Sequence, residues 1–303
     1  MALSPFHPSN PKLQFAIDNT SISTFKDCPQ KYFYSIICGW RSTGTAPPLV
    51  FGGAYHDCLE RYDALLCSGL SPKDALRDTI RHAFTFEDFG DDERRTRSSL
   101  VRSLVWYADQ YASDVLSTHT FANGRVGLEM SFSFELPWKV AGTNDSFIYS
   151  GHIDKLALYS GDLYAVERKH TVSSLGDQFF NRYTFSGQTC GYVYAGKVVF
   201  DVPVVGAIIE ATQVATNYSR FGRVVVHRIN SHLEEWLQDL NYWSRQLEYC
   251  ATHQYWPRNT ESCSKYNGCQ FRKVCGKDPA VRELVLKTEF AVRHWNPLET
   301  RGD

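Results

Sequence analysis

The tightest constraint in this chain lies between Gly151 and Thr171, where Gly151-His152-Ile153-Asp154 and Glu167-Arg168-Lys169 bracket two apolar runs joined by Tyr159-Ser160-Gly161-Asp162. Turn residues between alternating apolar runs predict a β-hairpin, Ile153 to Tyr159 against Leu163 to Arg168. With Ser160 and Gly161 as the loop, Tyr159 faces Asp162, Leu158 faces Leu163, Leu156 faces Ala165 and Asp154 faces Glu167. Side chains alternate along a strand, so Asp154, Leu156, Leu158, Leu163, Ala165, Glu167 and Lys169 share one face. That face is apolar near the turn and charged at the far end. Moving the turn one residue sets Asp154 against Arg168 and mixes the faces, so the hydrophobic pattern selects the first register.

Carboxylates opposed across a ladder have Cβ atoms roughly 5 Å apart and destabilise the pair. At about 4 Å and an effective dielectric near 20 they repel by about 4 kcal/mol, more than a short hairpin offsets. A divalent cation between them turns the repulsion into a binding site. Hard oxygen donors without a histidine pair suit Mg2+ or Mn2+ rather than zinc. The ammonium of Lys169, on the same face, can orient a water or stabilise charge on a phosphate. The plain alternative is a surface hairpin with a Glu167–Lys169 ion pair.

With 303 residues, 43% hydrophobic and 14% aromatic, the chain has ample material for a core. A net charge of -1 excludes a wholesale polycation, so any nucleic-acid contact must come from a local basic surface. Met1 to Leu13 holds no apolar signal-peptide core, and no run approaches the roughly 18 apolar residues of a membrane span. The expectation is a soluble, cytoplasmic protein with no membrane partner. Nine cysteines, an odd number without an export signal, favour free thiols and metal ligation over a disulfide framework.

Residues 1 to 14 read as a loose lead-in. Ser21 or Ser23 then offers an N-cap for a helix carrying Phe25, Cys28, Tyr32, Phe33 and Ile36. Pro29 is tolerated only in a first turn, so the helix proper can begin near Cys28. A second helix opens at Phe51-Gly52-Gly53, with His56 and Glu60 four apart on one face. Helices over Pro72 to Phe86 and Asp92 to about Thr120 follow, the second with Arg94, Arg95, Arg97 and Arg102. Spaced arginines are either a solvated face or a track for a phosphate backbone. Val126 to Leu136 alternates as a strand, and the hairpin comes next. Asp177 to Val198 reads as one helix with Gln188 and Tyr192 as surface neighbours. Val204 to Glu210 and Arg223 to Ile229 read as strands, and Leu233 to Cys250 as an amphipathic helix. The organisation expected is one domain over 1–303: a helical region at 15–125, an α/β core at 126–230 and a Cys-rich end at 231–303.

Cys263, Cys269 and Cys275 stand at six-residue steps, with Gly268 allowing a tight turn. Three clustered thiols call for a metal, and both iron-sulfur clusters and tetrahedral zinc want four ligands. Cys28 is the best distant fourth.

Together these residues resemble the RecB-like branch of the PD-(D/E)xK nuclease superfamily, which includes CRISPR-adaptation nucleases and phage-encoded exonucleases. Gly52-x-x-x-His56-x-x-x-Glu60, Gly151-x-x-Asp154, Glu167-Arg168-Lys169 and Gln188-x-x-x-Tyr192 match its motifs in order, across nearly the whole chain. The resemblance implies an α/β (α+β) fold with a restriction-endonuclease-like αβββαβ core. It implies a metal held by Asp154, Glu167, the Arg168 backbone carbonyl and His56, with Lys169 acting on the attacking water and Gln188 and Tyr192 positioning DNA or the lysine. It further implies a 4Fe-4S cluster on Cys28, Cys263, Cys269 and Cys275, with structural Zn2+ as the alternative. Five residues separate Cys263 from Cys269 where the family's trailing pair has two. The activity implied is a Mg2+- or Mn2+-dependent DNA exonuclease on ends or single strands, serving recombination, repair or phage DNA processing, with recombination or helicase partners. A non-cleaving DNA-binding scaffold and a Zn-stabilised endonuclease are the rival readings.

Overall fold

The structure is a computed structural model that describes residues 4–44, 47–87, 89–265 and 268–300. It opens with strands β1 (Phe6–His7), β2 (Asn10–Gln14) and β3 (Ala16–Ile17), then helices α1 (Asn19–Asp27) and α2 (Pro29–Tyr32), a π-helical turn over Phe33–Ile37, and β4 (Trp40–Ser42). Helices α3 (Pro47–Cys67), α4 (Pro72–Ala83) and α5 (Arg97–Gln110) precede strands β5 (Ser117–Thr118), β6 (Leu128–Lys139), β7 (Ser146–Tyr159) and β8 (Asp162–Thr171). The rest is α6 (Asp177–Phe180), α7 (Gly187–Val198), β9 (Val204–Val214), β10 (Ser219–His227), α8 (Asn230–His253), α9 (Arg272–Cys275), α10 (Arg282–Glu289) and β11 (Phe290–Val292). The chain forms two compact units, one chiefly Thr45–Ser131 with His152–Leu233, the other Met1–Gly44 with Phe132–Gly151 and Glu234–Thr300.

In the first of these units the strands run in the order β10, β9, β8, β7, with β5 on β7. β8 pairs antiparallel with β7 and parallel with β9, so the sheet is mixed. The parallel β8–β9 pair requires a crossover, and α7 is the helix in it. Leu163, Tyr164, Ala165 and Val166 of β8 are all buried, the continuous apolar run of a strand covered on both faces. At Gly206 of β9 an added Cβ would sit 2.2 Å from the Val226 carbonyl oxygen, so only glycine admits β10 this closely. Phe51, Tyr55 and Leu59 of α3 pack with Leu100, Leu104 and Tyr107 of α5 in the main core. In the other unit, Tyr34, Phe271, Val274 and Leu286 form a core of their own, with Cys269 and Cys275 packed against it.

The hairpin register is the expected one: Tyr159 pairs with Asp162, Leu158 with Leu163 and Leu156 with Ala165. Ser160 and Gly161 take positive φ values of 53° and 91°, as the two-residue turn requires. Other expectations need correction. The lead-in carries β1 and β2, which pair antiparallel, and β3, which pairs parallel with β7 at Ile148 and Tyr149. α5 starts at Arg97 rather than Asp92, because Thr96 and Ser99 form a capping box there, and it ends at Gln110 well short of Thr120. The helix expected over Asp177 to Val198 is broken: Ser186 is extended (φ -66°, ψ 120°) and α7 begins anew at Gly187. Cys28 is likewise extended, ending α1 and preceding Pro29 at the first position of α2.

Candidate active site

The C-terminal end of β8 delivers Glu167 and Lys169 to one face and Arg168 to the other, as strand alternation dictates. The regular β7–β8 pairing runs to Lys155–Val166, one step short of Asp154 and Glu167. There the Arg168 amide donates to Asp154 Oδ2 at 2.8 Å. Both carboxylates are buried, Asp154 at 7% and Glu167 at 4% exposure. Lys169 Nζ donates to Glu167 Oε1, the Tyr192 hydroxyl donates to Glu167 Oε2, and Gln188 Nε2 donates to that hydroxyl at 2.6 Å. Gln188 and Tyr192 are one turn apart on α7, which is why a single helix supplies both links.

From α3, His56 Nδ1 stands 3.6 Å from Asp154 Oδ2. Burial alone would push the Asp154 carboxyl up, but the nearby His56 charge, the Arg168 amide and Lys169 outweigh it and hold the group at about 2. Burial opposes charge on His56 too, yet Asp154 raises it. For Lys169 burial opposes and Glu167 prevails, so its ammonium is favoured. A cleft of about 520 Å³ is lined by His56, Glu60, Glu129, Lys169 and His170, together with Gly52 and Leu49. Gly52 is there by necessity: a Cβ would stand 2.8 Å from His170 Cε1. Burial, then Arg95, His56 and Lys169, hold the His170 imidazole down at about 4.

On the opposite face, the Arg168 guanidinium is buried with Asp63 and lies 3.5 Å from Glu210. Lys155 Nζ donates to Asp63 at 3.1 Å, Tyr107 to Glu210 at 2.8 Å, and Arg223 Nε to Glu210 at 2.7 Å. Sequence reasoning missed Asp63, Lys155, Glu210 and His170. The usable signal for Glu210 was a lone charge inside an apolar run, which is buried only when paired; Asp63, close to Glu60 and Arg61 in the chain, carried no such signal.

The sequence profile of the PD-(D/E)XK nuclease superfamily matches residues 19–276. The chain belongs to that superfamily. Among solved structures this PD-(D/E)XK chain is similar to a protein of Eubacterium rectale described as a "Putative exonuclease". They share 14% identity over 89% of this chain and 92% of that one, with a TM-score of 0.49. It is also similar to SSO0001, at 13% identity over 87% and 86% of the two chains and a TM-score of 0.36. Neither likeness is strong enough to carry an argument. No curated protein matches it.

Two other groups of residues have definite places in this PD-(D/E)XK chain. The arginines expected along a DNA backbone are engaged internally. Arg94 and Arg95 bind Asp92, Arg97 donates to the Phe86 carbonyl, and Arg102 donates to the carbonyls of Ala215, Thr216 and Tyr218. Their guanidiniums tie loops to the fold, while Arg94 and Arg97 stay at the exposed surface. Cys28, Cys263, Cys269 and Cys275 all belong to one unit. The Asn259 amide donates to Cys28 Sγ at 3.4 Å, and Asn259 and Ser262 side chains donate to the Asp27 carbonyl. Burial, then the fields of Cys28 and Cys263, raise the Cys269 thiol, and burial, then Cys269, raise Cys275. Among the described residues no three His, Cys, Asp or Glu side chains form a ready metal cage, and no helix is long and apolar enough to cross a membrane.

Proposed function

We propose that this chain is a Mg2+- or Mn2+-dependent DNA exonuclease acting on ends or single strands, in recombination, repair or phage DNA processing. The observation that carries the reading is the pair of buried carboxylates, Asp154 and Glu167, on the neighbouring strands β7 and β8 with Lys169 on the second. Mg2+ keeps several waters and needs only one or two carboxylates plus substrate phosphate, so a site without a three-residue cage fits it. Asp154, Glu167 and the Arg168 carbonyl would hold the ion. When bound, it polarises the phosphate and makes water a stronger nucleophile.

The protein's own groups do the positioning. The Arg168 amide and His56 fix the Asp154 carboxylate, and Tyr192, oriented by Gln188, fixes Glu167. The Lys169 ammonium, bonded to Glu167, would donate to an attacking water or a phosphate oxygen and stabilise the charge that builds there. Cys28, Cys263, Cys269 and Cys275, whose thiols feel one another's fields within one unit, would hold a 4Fe-4S cluster or zinc that fastens the N-terminal segment to the Cys-rich one. The test is cleavage of end-labelled against circular DNA, with and without Mg2+ or Mn2+. Metal-dependent loss of label from linear DNA alone is expected, and cleavage of circles or of nothing would refute the reading.

A further inference from the structure

Phe185 is 94% exposed and Leu49 is 74% exposed, more than any other large hydrophobic side chain in the described residues. Single exposed apolar residues are ordinary on a protein surface, but each of these two belongs to a segment that leads to the candidate site. Leu49 lines the cleft that holds His56 and Lys169. Phe185 lies between two residues tied to the same centre: Tyr183, whose field reaches Lys169, and Gln188, which donates to the hydroxyl that holds Glu167. Phe185 thus stands at the entry to α7, three residues before the Gln188–Tyr192 link to Glu167, with its ring left in water. Nearby aromatics are spent differently, since Phe179 is buried, packs edge-on against Phe180 and lies under the Arg182 guanidinium.

An exposed phenyl ring next to a phosphodiester-cleaving centre has one partner of matching chemistry, the flat face of an unpaired nucleobase. A base inside a duplex already has its faces stacked, so such a platform selects single strands or frayed ends. We propose that Phe185 stacks on an unpaired base of the strand being cut, with Leu49 as an apolar contact on the cleft wall, and so sets the preference for single-stranded substrate. This rests on the nuclease reading above.

The experiment is steady-state cleavage of a single-stranded oligonucleotide and of versions carrying one abasic nucleotide at successive positions, by the full chain and by Phe185→Ala and Phe185→Trp. For the unaltered protein, one abasic position should raise KM about tenfold, the loss of one base stack. Phe185→Ala should raise KM on the intact strand by a similar factor, leave kcat unchanged and become indifferent to that abasic position. Phe185→Trp should retain both the low KM and the sensitivity. An unchanged KM in Phe185→Ala, or a fall in kcat at constant KM, would overturn the stacking role while leaving the nuclease reading intact. No cleavage of any nucleic acid by the unaltered protein would remove the nuclease reading and this inference with it.

Discussion

Replacing Asp63 by Asn tests whether the ionic group behind the strand is as dry as its burial implies. Asp63 is 4% exposed and is the carboxylate shared by Lys155 and Arg168, which are 6% and 2% exposed. Removing one partner of a buried ion pair destabilises by about 3–5 kcal/mol, because the remaining charge stays desolvated. Here Arg168 keeps Glu210 at 3.5 Å, so the loss falls mainly on Lys155. A cavity of about 290 Å³ lined by Lys155, Asp63 and Tyr107 lets water reach the orphaned ammonium, which puts the effect near the lower end, about 3 kcal/mol. In a domain of 150 to 250 residues each kcal/mol moves Tm by roughly 2–4 °C, so Asp63→Asn should lower the midpoint by about 6–12 °C. Calorimetry at neutral pH measures it. The double variant Asp63→Leu with Lys155→Met removes both charges and should recover more than half of the loss, since a packed apolar pair is often as stable as a buried ionic one. A drop below about 2 °C for Asp63→Asn, or a double variant no better than the single one, would refute the low-dielectric argument.

Further outcomes follow from the same geometry. Lys169→Ala should leave thermal unfolding within a few degrees of the parent and reduce kcat by about a hundredfold or more, the effect of losing a donor aimed at developing charge. Metal-dependent cleavage at the parental rate would take Lys169 out of the mechanism. Cys28→Ser should lower both Tm and bound metal in anaerobically purified protein, with iron and acid-labile sulfide as the readout. If both stayed unchanged, the four-cysteine assignment would fail, and stoichiometric zinc without iron would replace the cluster by zinc. His170 is held at about 4 against an unfolded value near 6.5, so between these the unfolded chain binds more protons and stability rises with pH. His170→Gln should flatten the stability curve in that window, and an unchanged slope would show the imidazole to be solvated. Gly52→Ala drives a methyl into the His170 ring and should cost about 1–3 kcal/mol, read by denaturant titration.

The hairpin was legible in the sequence because everything that fixes it is local. A two-residue turn sets the register, and period-two alternation decides which residues share a face, so Asp154, Glu167 and Lys169 could be placed together before any coordinates. The Gln188–Tyr192 link was legible for the same reason, being one helical turn on α7. What the chain order concealed are contacts between distant residues. Arg168 read as a backbone-carbonyl donor, and the fold buries its side chain with Asp63 and Glu210, 105 and 42 positions away. The four arginines before and in α5 read as a spaced basic run, and only the packed loops show that each also binds Asp92 or a main-chain carbonyl. Short-range pattern fixes which atoms lie on which side of a strand or helix. Which buried charge meets which counter-charge depends on how the elements pack, and the desolvation that makes those pairs obligatory exists only once they have.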